Sequence, residues 1–243
     1  MSRGHNLQPS GANEKCVHCA RTLEKKTKDH VFPRSWYPDT TPSSTQRWTV
    51  PSCGECNGQS GQREKELFVR LALCVDPRKI EVAGLSERAV RSFGIDVAGI
   101  SEHELRVRQA LKGKILSEVR PHVPGDPTFP GLGPHPGFPV NKQLEIPFPE
   151  QLIKEVSRKI VRGCEYILGE ERIVEPPYKL EVYFAHEESV ADVVKLFEGV
   201  GPATIGPGFC VQRAPAHEDP LTVMYRIKVW GTWIIYASIL KDD

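Results

Sequence analysis

The sequence predicts an α+β fold: a small cysteine-stapled module at the front, a helical middle segment, then a C-terminal domain mixing helices and strands. Three observations predict it. Two C-x-x-C pairs, Cys16/Cys19 and Cys53/Cys56, bracket short strand-like and turn-forming runs. Apolar residues recur at helical spacing over 101–119 and 150–168. Strict alternation at Val223, Tyr225, Ile227 and Val229 marks a strand near the C-terminus. At 243 residues the chain is long enough to bury a core, and 32 Lys+Arg against 31 Asp+Glu leave a net charge of +1. That balance argues against binding a polyanion over the whole surface. It leaves room for a local patch, because residues 1–75 hold 11 Lys/Arg against 7 Asp/Glu, a local +4 that leaves −3 for the rest. No apolar run approaches the roughly 18 residues of a membrane helix. The start, MSRGHNLQPSGANEK, has no secretory apolar stretch, so a cytoplasmic location with reduced cysteines is expected.

The elements follow in order. Residues 1–15, polar and rich in Gly, Asn and Ser, read as a disordered lead. Residues 16–75 form the compact module. Residues 76–120 are helical, the clearest stretch being SEHELRVRQALKGKILSEV, where Ser101 and Glu104 make a capping box and Leu105, Val107, Ala110, Leu111, Ile115, Leu116 and Val119 line one face. Residues 121–139 are so rich in Pro and Gly that they predict an extended connector or wrapping strap. The C-terminal α+β domain, 140–243, begins with the strand KQLEIPF. Then come a helix from Glu150 to about Leu168, a strand at Lys179–Phe184, a helix at Ser189–Phe197, and strands near 208–213, 221–230 and 232–240, with Gly231 at the last turn.

Two C-x-x-C turns can each wrap one side of an ion, and together they complete a tetrahedral thiolate cage. Cys16, Cys19, Cys53 and Cys56 are therefore the expected ligands of a structural Zn²⁺. The alternative, four reduced core cysteines, does not account for two equal pairs beside the turn formers Gly54 and Asn57. His18, inside the first pair, is a conceivable replacement ligand, but the symmetric set is simpler. Cys74, Cys164 and Cys210 sit in apolar contexts and read as core packing.

Between the pairs runs Lys28-Asp29-His30-Val31-Phe32-Pro33-Arg34, and the second pair sits in Thr49-Val50-Pro51-Ser52-Cys53-Gly54-Glu55-Cys56-Asn57. With these residues the chain resembles the bacterial HNH endonucleases, closest to the subgroup with D/E-H-V-x-P followed by T-V-P-x-C-x-x-C-N. The phrases HPGFPV (135–140) and KIVRG (159–163) also look like that subgroup. The resemblance implies a ββα-metal (HNH) module and metal-dependent hydrolysis of phosphodiester bonds to a 5′ phosphate and a 3′ hydroxyl. It implies nucleic acid as the partner, double-stranded DNA before RNA, and a setting in bacterial defence. Asp29 and Asn57 are then the expected oxygen ligands of a catalytic Mg²⁺ or Mn²⁺, which acts as Lewis acid and template. His30, whose ordinary pKa lies near neutrality, is the expected general base.

Adjacent strand residues point to opposite faces, so bringing Asp29 and His30 to one place requires a bend, which Pro33 helps to make. One departure stands out: Trp48 occupies the place where many members carry an asparagine, and Gln46 and Ser52 are the candidate substitutes. Glu64 or Glu66 on the following helix is either a further carboxylate for the metal or part of a solvated face. Arg34, Lys28 and Arg47 are the expected phosphate contacts, with Lys25 and Lys26 as further surface cations. Trp36 and Tyr37 either stack on a base or seal the module against its neighbour. His135 reads as a turn anchor, and His103, His122, His186 and His217 show no partner pattern. No base-reading helix is evident, so sequence specificity should be low, and the C-terminal domain is the expected seat of recognition, self-association or a regulatory ligand. The rival reading is a non-catalytic zinc-stabilised module that binds nucleic acid or protein.

Overall fold

A computed structural model describes residues 14–94, 99–123, 125, 128–130, 132–133, 139 and 142–242. The first knuckle is a small hairpin: Lys15 bridges to Thr22, the Cys16 amide donates to Arg21 O, and Ala20 takes a left-handed φ of 59° at the corner. Strand β1 (Thr27–His30) then pairs antiparallel with β2 (Thr49–Ser52), setting Asp29 opposite Val50 and His30 opposite Thr49. Cys53 caps the long helix α1 (Gly54–Cys74), its sulfur accepting from the Cys56 amide. Strand, strand and helix therefore follow in the expected order.

A short helix α2 (Leu85–Ser92) lies against α1. Helix α3 (Glu102–Glu118) starts at Ser101, whose side chain accepts from the Glu104 amide as the capping box requires. Its expected apolar face is only partly covered: Ile115 is buried and Leu105, Leu111 and Val119 are half-buried, while Val107, Ala110 and Leu116 are exposed. The two-residue strands β3 (Arg120–Pro121) and β4 (Leu144–Glu145) pair with each other, so the KQLEIPF strand shrinks to two residues held by a short ladder. Between them Phe129 packs on Phe148 and Phe184, with ring centroids 5.6 and 5.2 Å away. Residues 1–13 of the disordered lead expected over 1–15, the His135 turn anchor and most of HPGFPV lie outside the described residues. Glu14 and Lys15 already belong to the knuckle, which accepts the Leu23 amide at Glu14 O.

Helix α4 (Glu150–Leu168) has the bounds its periodicity predicts. Behind it stands a five-stranded antiparallel sheet in the order β5-β9-β8-β7-β6, built from β5 (Tyr178–Tyr183), β6 (Ala203–Thr204), β7 (Phe209–Pro215), β8 (Val223–Val229) and β9 (Trp233–Lys241). The helix expected over 189–197 is a 3₁₀ turn (Glu187–Val190) followed by the five-residue α5 (Ala191–Lys195). The class is α+β, with five α-helices and this sheet among the described residues.

Helix α4 touches β5 on one side and α1 and β2 on the other. Its Ile153, Val156, Ile160, Val161 and Cys164 are all buried, and one apolar cluster runs without a break from Val17 and Phe32 to Ile235 and Ile239. The seam carries the aromatics. Phe32 stacks on Phe209 at 4.2 Å, and Trp36 meets Trp230 and Trp233 at 5.5 and 5.9 Å. The β8–β9 turn aims Trp230 inward. Trp230 and Gly231 both take positive φ, 53° and 67°, in the three-residue turn that joins Val229 to its partner Trp233. The Trp230 indole N–H then donates to Trp36 O at 2.8 Å.

Candidate functional site

The four knuckle cysteines converge. Their sulfurs all lie within 4.8 Å of one another, and the Cys19 and Cys53 sulfurs are 3.9 Å apart. A tetrahedral zinc with Zn–S bonds of about 2.3 Å spaces its sulfurs by about 3.8 Å, so the donor set and its size both fit Zn²⁺. The surroundings favour thiolate. The Cys53 amide donates to Cys16 Sγ and the Cys56 amide to Cys53 Sγ, each at 3.4 Å, at the positive end of α1. Burial raises the Cys19 thiol, but the Arg21 guanidinium bound to it at 3.3 Å brings its pKa down to about 6. Burial and its thiol neighbours push the Cys56 thiol far up. Arg162 of α4 is half-buried within reach of the charges on Cys56, Cys16 and Cys19.

Beside the cage lies a second cluster, which pattern reading did not assemble. Asp29, 4 % exposed, has both oxygens engaged: His18 Nε2 lies 2.8 Å from Oδ2 and Lys159 Nζ 3.2 Å from Oδ1. Burial alone would raise the Asp29 pKa, but the bond from His18 and the charge of Lys159 outweigh it and hold the carboxyl below its ordinary value. The His18 pKa is lowered as well, here by burial, although Asp29 opposes this. The pair is therefore a neutral imidazole donating Nε2–H to a carboxylate. His18 is no replacement zinc ligand; it orients Asp29.

Lys159 completes the cluster. It lies 2.7 Å from Glu64 Oε1 and also donates to the backbone oxygens of His30 and, at 3.4 Å, Val31. Glu64 is buried, with its pKa raised by burial against the pull of Lys159, so the solvated-face reading fails for it. Glu66 instead pairs with Arg70 and Lys114. Ser60, Arg63, Glu64, Glu155, Val156 and Lys159 line a cavity of about 20 Å³, room for one water.

The other predicted residues divide. His30 ends β1 half-buried, its Nδ1 buried without a hydrogen-bond partner among the described residues. Burial lowers its pKa, Arg34, Lys159 and Arg47 add to the effect, and Asp29 works against it, so the ring is neutral at physiological pH. Asn57 sits one turn into α1, and its Nδ2 donates to Thr27 Oγ1 at 3.2 Å. Arg34 and Lys28 are exposed, whereas Arg47 is half-buried with its guanidinium 5.0 Å over the Tyr37 ring. Trp36 and Tyr37 are buried at the seam, which leaves neither free to stack on a base. Trp48 packs against the core, Gln46 is exposed, and Ser52 turns to the cage, its Oγ donating to Cys53 O at 3.2 Å. His122, which showed no partner pattern, contacts Glu145 at 2.6 Å.

A dication on Asp29 and Asn57 does not fit this arrangement. Hard divalent ions need free carboxylate oxygen at about 2.0–2.6 Å, and both Asp29 oxygens are taken, one of them by a cation. Comparison with protein-family models, with curated proteins and with solved structures finds no match, so the reading of this site rests on its own geometry.

Proposed function

We propose that the chain is a phosphodiester hydrolase of the HNH type, acting on double-stranded DNA with low sequence specificity. One observation carries the reading: a neutral His30 imidazole, whose buried Nδ1 has no hydrogen-bond partner among the described residues, directly follows an ionised, buried Asp29 at the end of a strand beside the four-cysteine cluster. A neutral imidazole can accept a proton from an attacking water, and charge held nearby stabilises the phosphorane-like transition state. His30 is the base, Arg34 and Lys28 are exposed to meet phosphate, and Arg47 lends charge from its place on Tyr37. The zinc does no chemistry; it ties the entry of β1 to the start of α1. Cleavage to a 5′ phosphate and 3′ hydroxyl, a role in bacterial defence and a cytoplasmic setting belong to this reading. No helix among the described residues is long and apolar enough to cross a membrane.

The divalent cation that the resemblance calls for would act as Lewis acid, but Asp29, its expected ligand, is already paired with His18 and Lys159. This is also the observation that favours a second reading, a zinc-stabilised binding module without turnover. Nicking of supercoiled plasmid by zinc-loaded protein, alone and with Mg²⁺ or Mn²⁺, separates the two. The enzyme should nick in at least one condition, and His30→Ala should lose about 10²-fold or more with zinc content unchanged. Equal nicking by the variant, or none by the wild type in any condition, supports the binder.

A further inference from the structure

We propose that the Lys159 ammonium is the resident cation of this site, held by α4 against Asp29 so that no exchangeable dication binds there. An ammonium has three donors and no acceptor. Here it donates to the backbone oxygens of His30 and Val31 and forms ion pairs with Asp29 Oδ1 and Glu64 Oε1. The second Asp29 oxygen belongs to His18. Both Asp29 oxygens already have a partner, and an incoming dication would have to approach against the like charge of Lys159. Lysines are almost never buried unless paired, and this one is 5 % exposed with two carboxylates beside it.

The placement is built into the helix. One turn beyond Lys159 lies Gly163, where an added Cβ would come within 2.8 Å of the Val31 side chain. The missing side chain allows α4 to approach the end of β1 closely, and that approach brings Lys159 to the backbone oxygens of His30 and Val31. One helix thus supplies both the clearance and the charge. Lys159 acts here as a positioning residue: it fixes the His30 backbone and neutralises Asp29, and a front module without α4 lacks its cation.

The statement about binding stands on geometry alone; only its consequence for cleavage rests on the phosphodiesterase reading. Mn²⁺ binding to the zinc-loaded full chain, followed by electron paramagnetic resonance, tests it. The wild type and Lys159→Arg should show no Mn²⁺ site that Asp29→Asn abolishes. Lys159→Met should bind Mn²⁺ at least about tenfold more tightly than the wild type, because a like charge has gone, and Lys159→Met/Asp29→Asn should lose that gain. A wild-type Mn²⁺ site that Asp29→Asn removes overturns the proposal, whether or not the Met variant folds. Plasmid nicking reads the consequence. His30-dependent nicking that survives removal of free Mg²⁺ and Mn²⁺ supports a resident cation, whereas nicking that needs Mn²⁺ bound through Asp29 overturns it and leaves the hydrolase reading intact. If the wild type neither nicks nor binds Mn²⁺ at Asp29, the hydrolase reading falls and the Lys159 assignment stands.

Discussion

At the scale of single residues, neutral histidines and paired charges set how the protein answers to pH. His18 and His30 both have folded pKa values below their ordinary 6.5. Between those lowered values and 6.5 the unfolded chain binds more protons than the folded one, so stability falls as pH drops through and below 6.5. Asp29 is held below its ordinary 3.8, and its contribution, present above that value, is lost only in stronger acid. Urea unfolding midpoints should therefore decline between pH 7.5 and 5.5, and His18→Gln should flatten the decline; a wild-type profile level over that range contradicts these shifts. Nicking should lose rate over the same acid limb as His30 takes up a proton. The thiolates predict a larger effect. Zinc bound by four cysteines contributes on the order of 10 kcal/mol to folding of its module. Cys53→Ser, or a strong chelator, should abolish the near-ultraviolet circular dichroism of the seam tryptophans at 25 °C, and readdition of Zn²⁺ to the chelated wild type should restore it.

Among the elements, the boundary between what the sequence discloses and what it conceals follows the range of the interaction. The Ser101 cap, the bounds of α4 and the β8–β9 hairpin are written in residues three or four apart, and they read off directly. The four-cysteine cluster is legible for a related reason: a repeated spacing betrays two turns that converge on one spot. Contacts made across the chain leave no such trace. Lys159 lies 130 positions from Asp29, and inside KIVRG it looks like one more basic residue on a helix. Nor does periodicity tell whether an apolar stripe is covered, which is why the face of α3 reads as core although Val107 and Leu116 are exposed. The crossing of α4 over β1 yields a prediction at this scale. Gly163→Ala puts a methyl into Val31, and overpacking of this kind costs about 1–3 kcal/mol. Val31→Ala should also destabilise, by leaving a cavity, yet the double variant should lose less than the two single losses combined. Denaturant midpoints for the four proteins give the coupling, and strict additivity would mean the helix does not rest there.

Across the whole molecule, the front module and the sheet depend on one another through the aromatic seam. Trp36, fully buried, is covered by Trp230 and Trp233, which come from the far end of the chain, and Phe32 and Tyr37 are covered by Phe209. Each of these rings removes of the order of 150–250 Å² from water, so the module cut from the sheet would expose most of its own core. The zinc would still close the knuckles, because all four ligands lie in front of α2. The fragment 1–83 should therefore bind Zn²⁺ yet remain loosely packed, with weak amide dispersion and with uptake of a hydrophobic dye that the full chain excludes. Trp230→Ala tests the same dependence in the intact protein. It removes a fully buried ring and the donor to Trp36 O, a loss of about 3–5 kcal/mol. Because that ring braces the module carrying His30, the variant should also lose plasmid nicking while keeping its zinc. A Trp230→Ala protein as stable as the wild type, or a fragment 1–83 with sharp native dispersion, would show that the module folds without the sheet and that the seam is only a docking contact.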